Sequence, residues 1–353
     1  NVDNTYSIVL SGSGTINFKS TRGTWDDVEK GLDCEEISNR SYTFGRGNIY
    51  QATVHNRADI CGGNHTSEPN VIVMDDNFYM PQLNRYRRIL LYLPPDYYSS
   101  TKRYPVLYMQ DRQSLFDAST SYFGEWEVDE SLNNLFDDGD RGCIIVGVEN
   151  GETHRINEYS PWVNNTHGGG EGGLYAEFIV ETLKPYIDEN YRTLSDRDNT
   201  GVIGSSLGGL ISFYIGLKYQ DIFSKIGIFS PSFWFSESYC TFAKETPKEY
   251  EMKMYFLAGG LESGVVQKCY DIIDSLLLTG YTNDEIFMKT LSNGEHSEWL
   301  WRQEFPEAYL WLYENNNQLN RYKLSEISIF PNPSESIVYV NSEEIIRNVL
   351  IYN

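Results

Sequence analysis

Basic residues are scarce: the chain carries 28 Lys and Arg against 50 Asp and Glu, a formal net charge of −22. A nucleic-acid binder is expected to show a basic patch or stripe, and none is visible, so nucleic acid is excluded as a partner. The acidity itself names no ligand; it keeps a surface soluble. Long apolar runs are also missing. No stretch approaches the ~18–20 apolar residues that a membrane-crossing helix requires. Cysteine is sparse and forms no C-x-x-C pair, which argues against a zinc ribbon or a thioredoxin-like redox site. Cys34 and Cys61, both N-terminal, are spaced to staple that segment, with buried free thiols as the alternative. The odd count leaves a free thiol, and Cys143, in an apolar stretch, is the candidate.

What is present is a large core. Of 353 residues, 40% are hydrophobic and 14% aromatic, including 27 Tyr and 7 Trp. A chain of this size and content buries a full core and is not disordered. At ~150 residues per domain, about two domains, or one large domain with a small companion, are expected. The first residue is Asn1, as expected after removal of a signal peptide or after trimming.

Three parts are distinguishable. Residues 1–70 read as strands: TYSIVLSGSGTINFKST alternates about a Gly-Ser-Gly turn, SYTFG and IYQATVHN continue it, and ICGGNHTSEPN breaks it. The expectation is a small β-sandwich. Residues 71–318 alternate strand and helix, with RRILLYLPPDY, RYPVLYMQ, CIIVGVEN, KIGIFS, MKMYFLAGG and EIFMKTL as strands. EFIVETLKPYIDENY and WLWRQEFPEAYLWLYENN carry helical spacing. That alternation predicts an α/β domain with a mostly parallel sheet covered on both faces. Residues 319–353 read as a linker and a short β tail.

Gly204-Ser205-Ser206-Leu207-Gly208 fits G-x-S-x-G, with TGVI before it and LISFYIGL after it. Strand, sharp turn and helix are the context in which this motif presents a nucleophilic serine. Ser206 is therefore the candidate nucleophile, and the Leu207 N–H a candidate oxyanion donor. Ser205 is the neighbour that the spacing disfavours.

A serine needs a base. Of His55, His65, His154, His167 and His296, only His296 follows Ser206, as the order Ser, acid, His demands. His154 and His167 flank a loop that could line a site. The acid should follow a strand between Ser206 and His296. Glu262 is the first carboxylate after MKMYFLAGG; Glu237, Asp284, Glu285 and Glu295 are rivals. The second oxyanion donor is expected from the loop after RYPVLYM, at Asp111 or Arg112.

RYPVLYMQDRQSLFD, IIVGVENGETHRINEYSPW, LKPYIDENYRT, VIGSSLGGLISFY, FSPSFW and NGEHSEWLWR together resemble the esterase D-like family of α/β-hydrolases, over about residues 78–317. That family includes feruloyl and acetyl-xylan esterases of carbohydrate esterase family 1 and siderophore trilactone hydrolases. The resemblance implies a Ser206–His296–Glu262 triad, an acyl-enzyme route, and no metal or cofactor. The family often has His-Asp-Gly-Gln-Asn where this chain has Gln110-Asp111-Arg112-Gln113-Ser114, a change expected to narrow the acyl pocket. FKSTRGTWDDVEKG and ISNRSYTFG resemble β-sandwich modules similar to glycan-binding folds. ISIFPNPSESIVYV resembles the start of a type IX secretion sorting domain, which implies export to the cell surface or beyond.

Trp162, Phe233 and Trp234 sit in motif loops and are candidates to stack on a sugar or aromatic acyl group; packing around the triad is the alternative. The expected substrate is a feruloyl or acetyl ester of a polysaccharide, with a siderophore ester as the runner-up. From a different class stands a non-catalytic glycan-binding surface protein, which Arg112 alone favours.

Overall fold

The computed structural model describes residues 13–21, 28–31, 37–45, 54, 56–57, 65–313, 329–331 and 338–340. In chain order the strands are β1 (Thr15–Phe18), β2 (Glu29–Lys30), β3 (Arg40–Thr43), β4 (Asn56–Arg57), β5 (Val71–Met80), β6 (Arg85–Tyr92), β7 (Val106–Met109), β8 (Ile144–Val148), β9 (Val163–Asn164), β10 (Gly168–Gly169), β11 (Thr200–Ser205), β12 (Lys225–Phe229), β13 (Lys253–Gly259), β14 (Ile286–Leu291), β15 (Ile329–Pro331) and β16 (Val338–Val340). The helices are α1 (Val128–Asp137), α2 (Arg155–Glu158), α3 (Gly172–Glu177), α4 (Lys184–Asn190), α5 (Leu207–Lys218), α6 (Ser238–Glu245), α7 (Val265–Leu278) and α8 (Glu298–Leu312).

Eight strands form one sheet in the order β14-β13-β12-β11-β7-β8-β6-β5. Only β6 runs against its neighbours; the other pairings are parallel. This is an α/β-hydrolase sheet. Alternate side chains on its strands serve two cores. Tyr108, Val202, Met254 and Phe256 pack on one side with Ile211 and Phe213 of α5 and Ile272 of α7. Leu107, Ile203, Tyr255 and Leu257 pack on the other with Leu132 of α1 and Trp301 and Phe305 of α8. Burial on both faces explains why these strands read as continuous apolar runs.

β5 departs from the reading of the sequence, which places no strand there. Asp75, Asp76 and Asn77 interrupt its alternation, and the pairing with β6 shifts register between Val73 and Asp75 and again between Asp75 and Phe78. Such bulges break the period-2 pattern that would reveal a strand.

In the N-terminal segment, β1 pairs antiparallel with β3, Thr15 opposite Thr43, and β2 with β4. The first arm of the expected hairpin, the proposed Cys34–Cys61 staple and His55 lie outside the described residues. Lys19 Nζ donates to the Tyr122 carbonyl at 3.2 Å, one tie from this segment to the α/β unit. β15 and β16 pair antiparallel, Ile329 opposite Val340. Cys143 and Cys269 are buried free thiols and Cys240 is half-buried and free. Among the described residues, no helix is long and apolar enough to cross a membrane.

Candidate active site

Ser206 stands between β11 and α5 with φ 57° and ψ −121°. A non-glycine residue at positive φ is strained and is retained where surrounding structure enforces it. Here Ser206 N–H donates to the Phe229 carbonyl at 2.9 Å, and Ser232 N–H donates to the Ser206 carbonyl at 3.0 Å. The flanking glycine is compulsory: a Cβ on Gly204 would lie 2.6 Å from the carbonyl carbon and oxygen of Gly208. The side chain of Ser206 is half-buried, and its Oγ lies 3.2 Å from Ser232 Oγ.

Glu262 follows β13 and is buried. Its Oε2 lies 2.6 Å from His296 Nδ1, while its Oε1 accepts from Ser230 Oγ and from Gly259 N–H, each at 2.6 Å. Burial pushes the carboxyl upward, but the hydrogen bonds from His296, Ser230 and Gly259 outweigh it and hold Glu262 below the usual carboxylate range. An ionised Glu262 fixes the imidazole proton on Nδ1 and leaves Nε2 as the basic nitrogen.

Ser230 is itself held at φ 42°, and Trp301 Nε1 donates to its hydroxyl at 2.9 Å. The Trp301 ring meets His296 edge-on at 5.2 Å. His296 lies in the loop between β14 and α8 with its side chain 44% exposed. Among the described residues its hydrogen bond is to Glu262, and that of Ser206 Oγ is to Ser232. Catalytic hydrogen bonds are often long in unliganded enzymes and tighten when substrate arrives.

The loop after β7 closes on the elbow: a Cβ on Gly208 would lie 3.0 Å from Asp111 Oδ2. Asp111 has φ 57° and is clamped by Arg155, whose Nε and Nη2 donate at 2.6 and 2.8 Å, and by Asn150 Nδ2 at 2.7 Å. Its backbone N–H faces Tyr159 Oη at 3.3 Å. Arg112 N–H opens a 3₁₀ turn, and Leu207 N–H opens α5. First-turn N–H groups have no acceptor within their own helix, so these two suit an oxyanion better than that of Asp111.

The Arg112 side chain is buried and pairs with Glu149, and a Cβ on Gly147 of β8 would lie 3.1 Å from its Cγ.

The aromatic candidates separate. Trp162 is half-buried, with Tyr239, Phe242 and Tyr214 against it at 4.5, 5.5 and 5.7 Å. Phe233 is buried against Phe213 and Tyr239. Both take the packing alternative. Trp234 is 53% exposed and meets exposed His167 edge-on at 5.6 Å. His154 is exposed, and His65 bonds Asp117 Oδ2 at 2.7 Å. The rival acids are occupied or remote: Glu237 is exposed beside Lys268, and Glu285 serves Lys248, Met252 and Thr282.

Ser230, Ser232, Tyr159, Arg155 and Glu298 escape the sequence reading. Glu298 is buried at the start of α8. Burial pushes it up to about 7, with His296 and Arg155 opposing and Asp111 reinforcing the shift. Only the serines have a local signal, in FSPSFW.

Over residues 81–312 the sequence matches the family described as "Putative esterase". The uncharacterized protein YbbA of Bacillus subtilis is 30% identical over 245 residues, covering 65% of this chain and 94% of that one. An endo-1,4-beta-xylanase/feruloyl esterase of Xylanibacter ruminicola is 28% identical over 182 residues, 49% of this chain and 22% of its own length. The fold is similar to that of the enterobactin esterase FES from Shigella flexneri, with a TM-score of 0.60 at 18% identity, covering 71% of this chain and 61% of that chain. A ferulic acid esterase gives 0.54 at 17% identity, covering 71% and 99%. A match running through nearly all of the α/β unit places the chain in that esterase family, as a carboxylic ester hydrolase.

Proposed function

We propose that the protein is a secreted serine esterase acting on polysaccharide esters, with Ser206 as nucleophile, His296 as general base and Glu262 as the orienting carboxylate. The 2.6 Å Glu262–His296 hydrogen bond beside the strained Ser206 elbow carries this reading. Ser206 Oγ leaves Ser232, gives its proton to His296 Nε2 and attacks the ester carbonyl carbon. The carbonyl oxygen becomes an oxyanion held by the N–H groups of Leu207 and Arg112. The tetrahedral intermediate expels the alcohol, which takes its proton from His296. Water, deprotonated by His296, then attacks the acyl-Ser206, and the acid leaves as Ser206 regains its proton.

The polysaccharide reading is supported by the xylanase/feruloyl esterase relative and by the exposed ring of Trp234, a surface suited to stacking on a flat group. A siderophore trilactone is the second reading, favoured by the likeness to enterobactin esterase. Export rests on the tail's resemblance to a sorting domain. Hydrolysis of feruloylated and acetylated xylan, run beside a catecholate trilactone with Ser206→Ala as control, tests the substrate. Faster turnover of the xylan esters is expected; preference for the trilactone would reverse the assignment, and indifference to all three would reject both.

A further inference from the structure

We propose that Glu125, Asp129 and Glu130 bind a calcium ion that fastens the 65–70 segment to the α/β unit. One carboxylate oxygen from each residue lies within 4.8 Å of the other two. That distance is within the span of a calcium shell, whose oxygens stand at ~2.3–2.6 Å from the metal. The cluster is not a solvated acidic patch: Asp129 is fully buried and Glu125 is 5% exposed.

Glu125 Oε2 accepts from Thr66 Oγ1 at 2.8 Å, and Asp129 Oδ2 from Glu68 N–H at 2.8 Å. Glu125 and Asp129 are thus each anchored to the 65–70 segment through one oxygen. Among the described residues, Glu125 Oε1 and Asp129 Oδ1, together with Glu130 Oε2, are buried and receive no donor; Asp129 and Glu130 can bond each other only through a shared proton. Among the described residues none of the three carboxylates has a salt-bridge partner; the nearby Arg302 is taken by Glu127. Three carboxylates this close in low dielectric repel one another, and orphaned oxygens cost further free energy. A hard cation satisfies both deficits. The donors are all oxygen, which suits calcium or magnesium and disfavours zinc. Magnesium demands a tighter octahedron and sheds water reluctantly, so a buried cluster favours calcium. Among the described residues none of the three bonds Ser206, His296 or Glu262, and the cluster stands at the start of α1, so the role is structural.

The test uses the full chain, stripped with EDTA and titrated with CaCl₂, with MgCl₂ in parallel. Calorimetry should show one calcium site. Thermal unfolding should rise by roughly 5–10 °C at a hundredfold excess over Kd. Glu125→Gln and Asp129→Asn should each lose that rise. If either fails to fold, Glu130→Gln, which is less buried, carries the same comparison. A wild-type protein indifferent to both CaCl₂ and EDTA would overturn the proposal and leave shared protons as what relieves the cluster. A calcium response that survives the substitutions would overturn it as well, by placing the ion elsewhere.

Discussion

At the scale of single residues, Glu262 shows how a buried carboxylate stays ionised. Burial alone would raise its pKa; donors from a histidine, a serine and a backbone amide reverse the sign. Two consequences are measurable. With the proposed triad, Glu262→Gln removes the charge that would stabilise the imidazolium and should lower kcat by ~10²–10⁴-fold with little change in KM. A carboxyl held below its unfolded pKa adds stability that is fully present above the unfolded value. That contribution disappears as pH falls through the lower, folded value. Denaturant unfolding between pH 6 and pH 3 should therefore show a steeper loss for the wild type than for Glu262→Gln. Glu298 has the opposite sign. Its folded pKa of about 7 exceeds the unfolded one, so its contribution is complete at acid pH and is lost as pH rises towards 7. Glu298→Gln should gain about 1–3 kcal/mol relative to wild type at pH 8 and nothing at pH 4.

At the scale of elements, the elbow between β11 and α5 is tightly constrained by its sequence. Gly204→Ala puts a methyl group into the Gly208 carbonyl, and the backbone there has no flexible side chain to yield. A cost of about 1–3 kcal/mol in chemical denaturation is expected, together with a loss of esterase activity larger than the stability loss explains. This element is legible in the sequence because G-x-S-x-G between an apolar strand and an apolar helix combines a local pattern with its context. The parallel strands β7, β8, β11, β12 and β13 are legible for a related reason, since burial on both faces writes an uninterrupted apolar run. β5 is not, because its bulges carry acidic residues. Nor are the partners of Glu262 and Asp111. Ser230, itself held by Trp301, and Asn150 and Arg155 lie far from them in sequence, and only the assembled sheet brings them together. The pairing of Arg112 with Glu149 is equally remote from any local pattern.

At the scale of the whole molecule, a charge of −22 makes the folded state repel itself. Salt should screen that repulsion, since the Debye length shrinks from ~30 Å at 0.01 M to ~8 Å at 0.15 M. In the presence of EDTA, to silence divalent cations, the unfolding temperature should rise with NaCl over this range; a flat or falling curve would show that specific ion pairs outweigh the net charge. Against that diffuse repulsion stand a few buried pairs. Glu158, fully buried, receives Arg85 and Arg87 at 2.9 and 2.8 Å and joins β6 to α2. The catalytic reading depends on this scaffold holding three loops, those after β11, β13 and β14, at one edge of the sheet.

The most direct measurement of the central claim is labelling with a fluorophosphonate probe followed by peptide mapping. A single adduct on Ser206 is expected, absent in Ser206→Ala and strongly slowed in His296→Ala and Glu262→Gln. Folded protein that takes no label, or takes it on another residue, would contradict the assignment of Ser206 as an activated nucleophile.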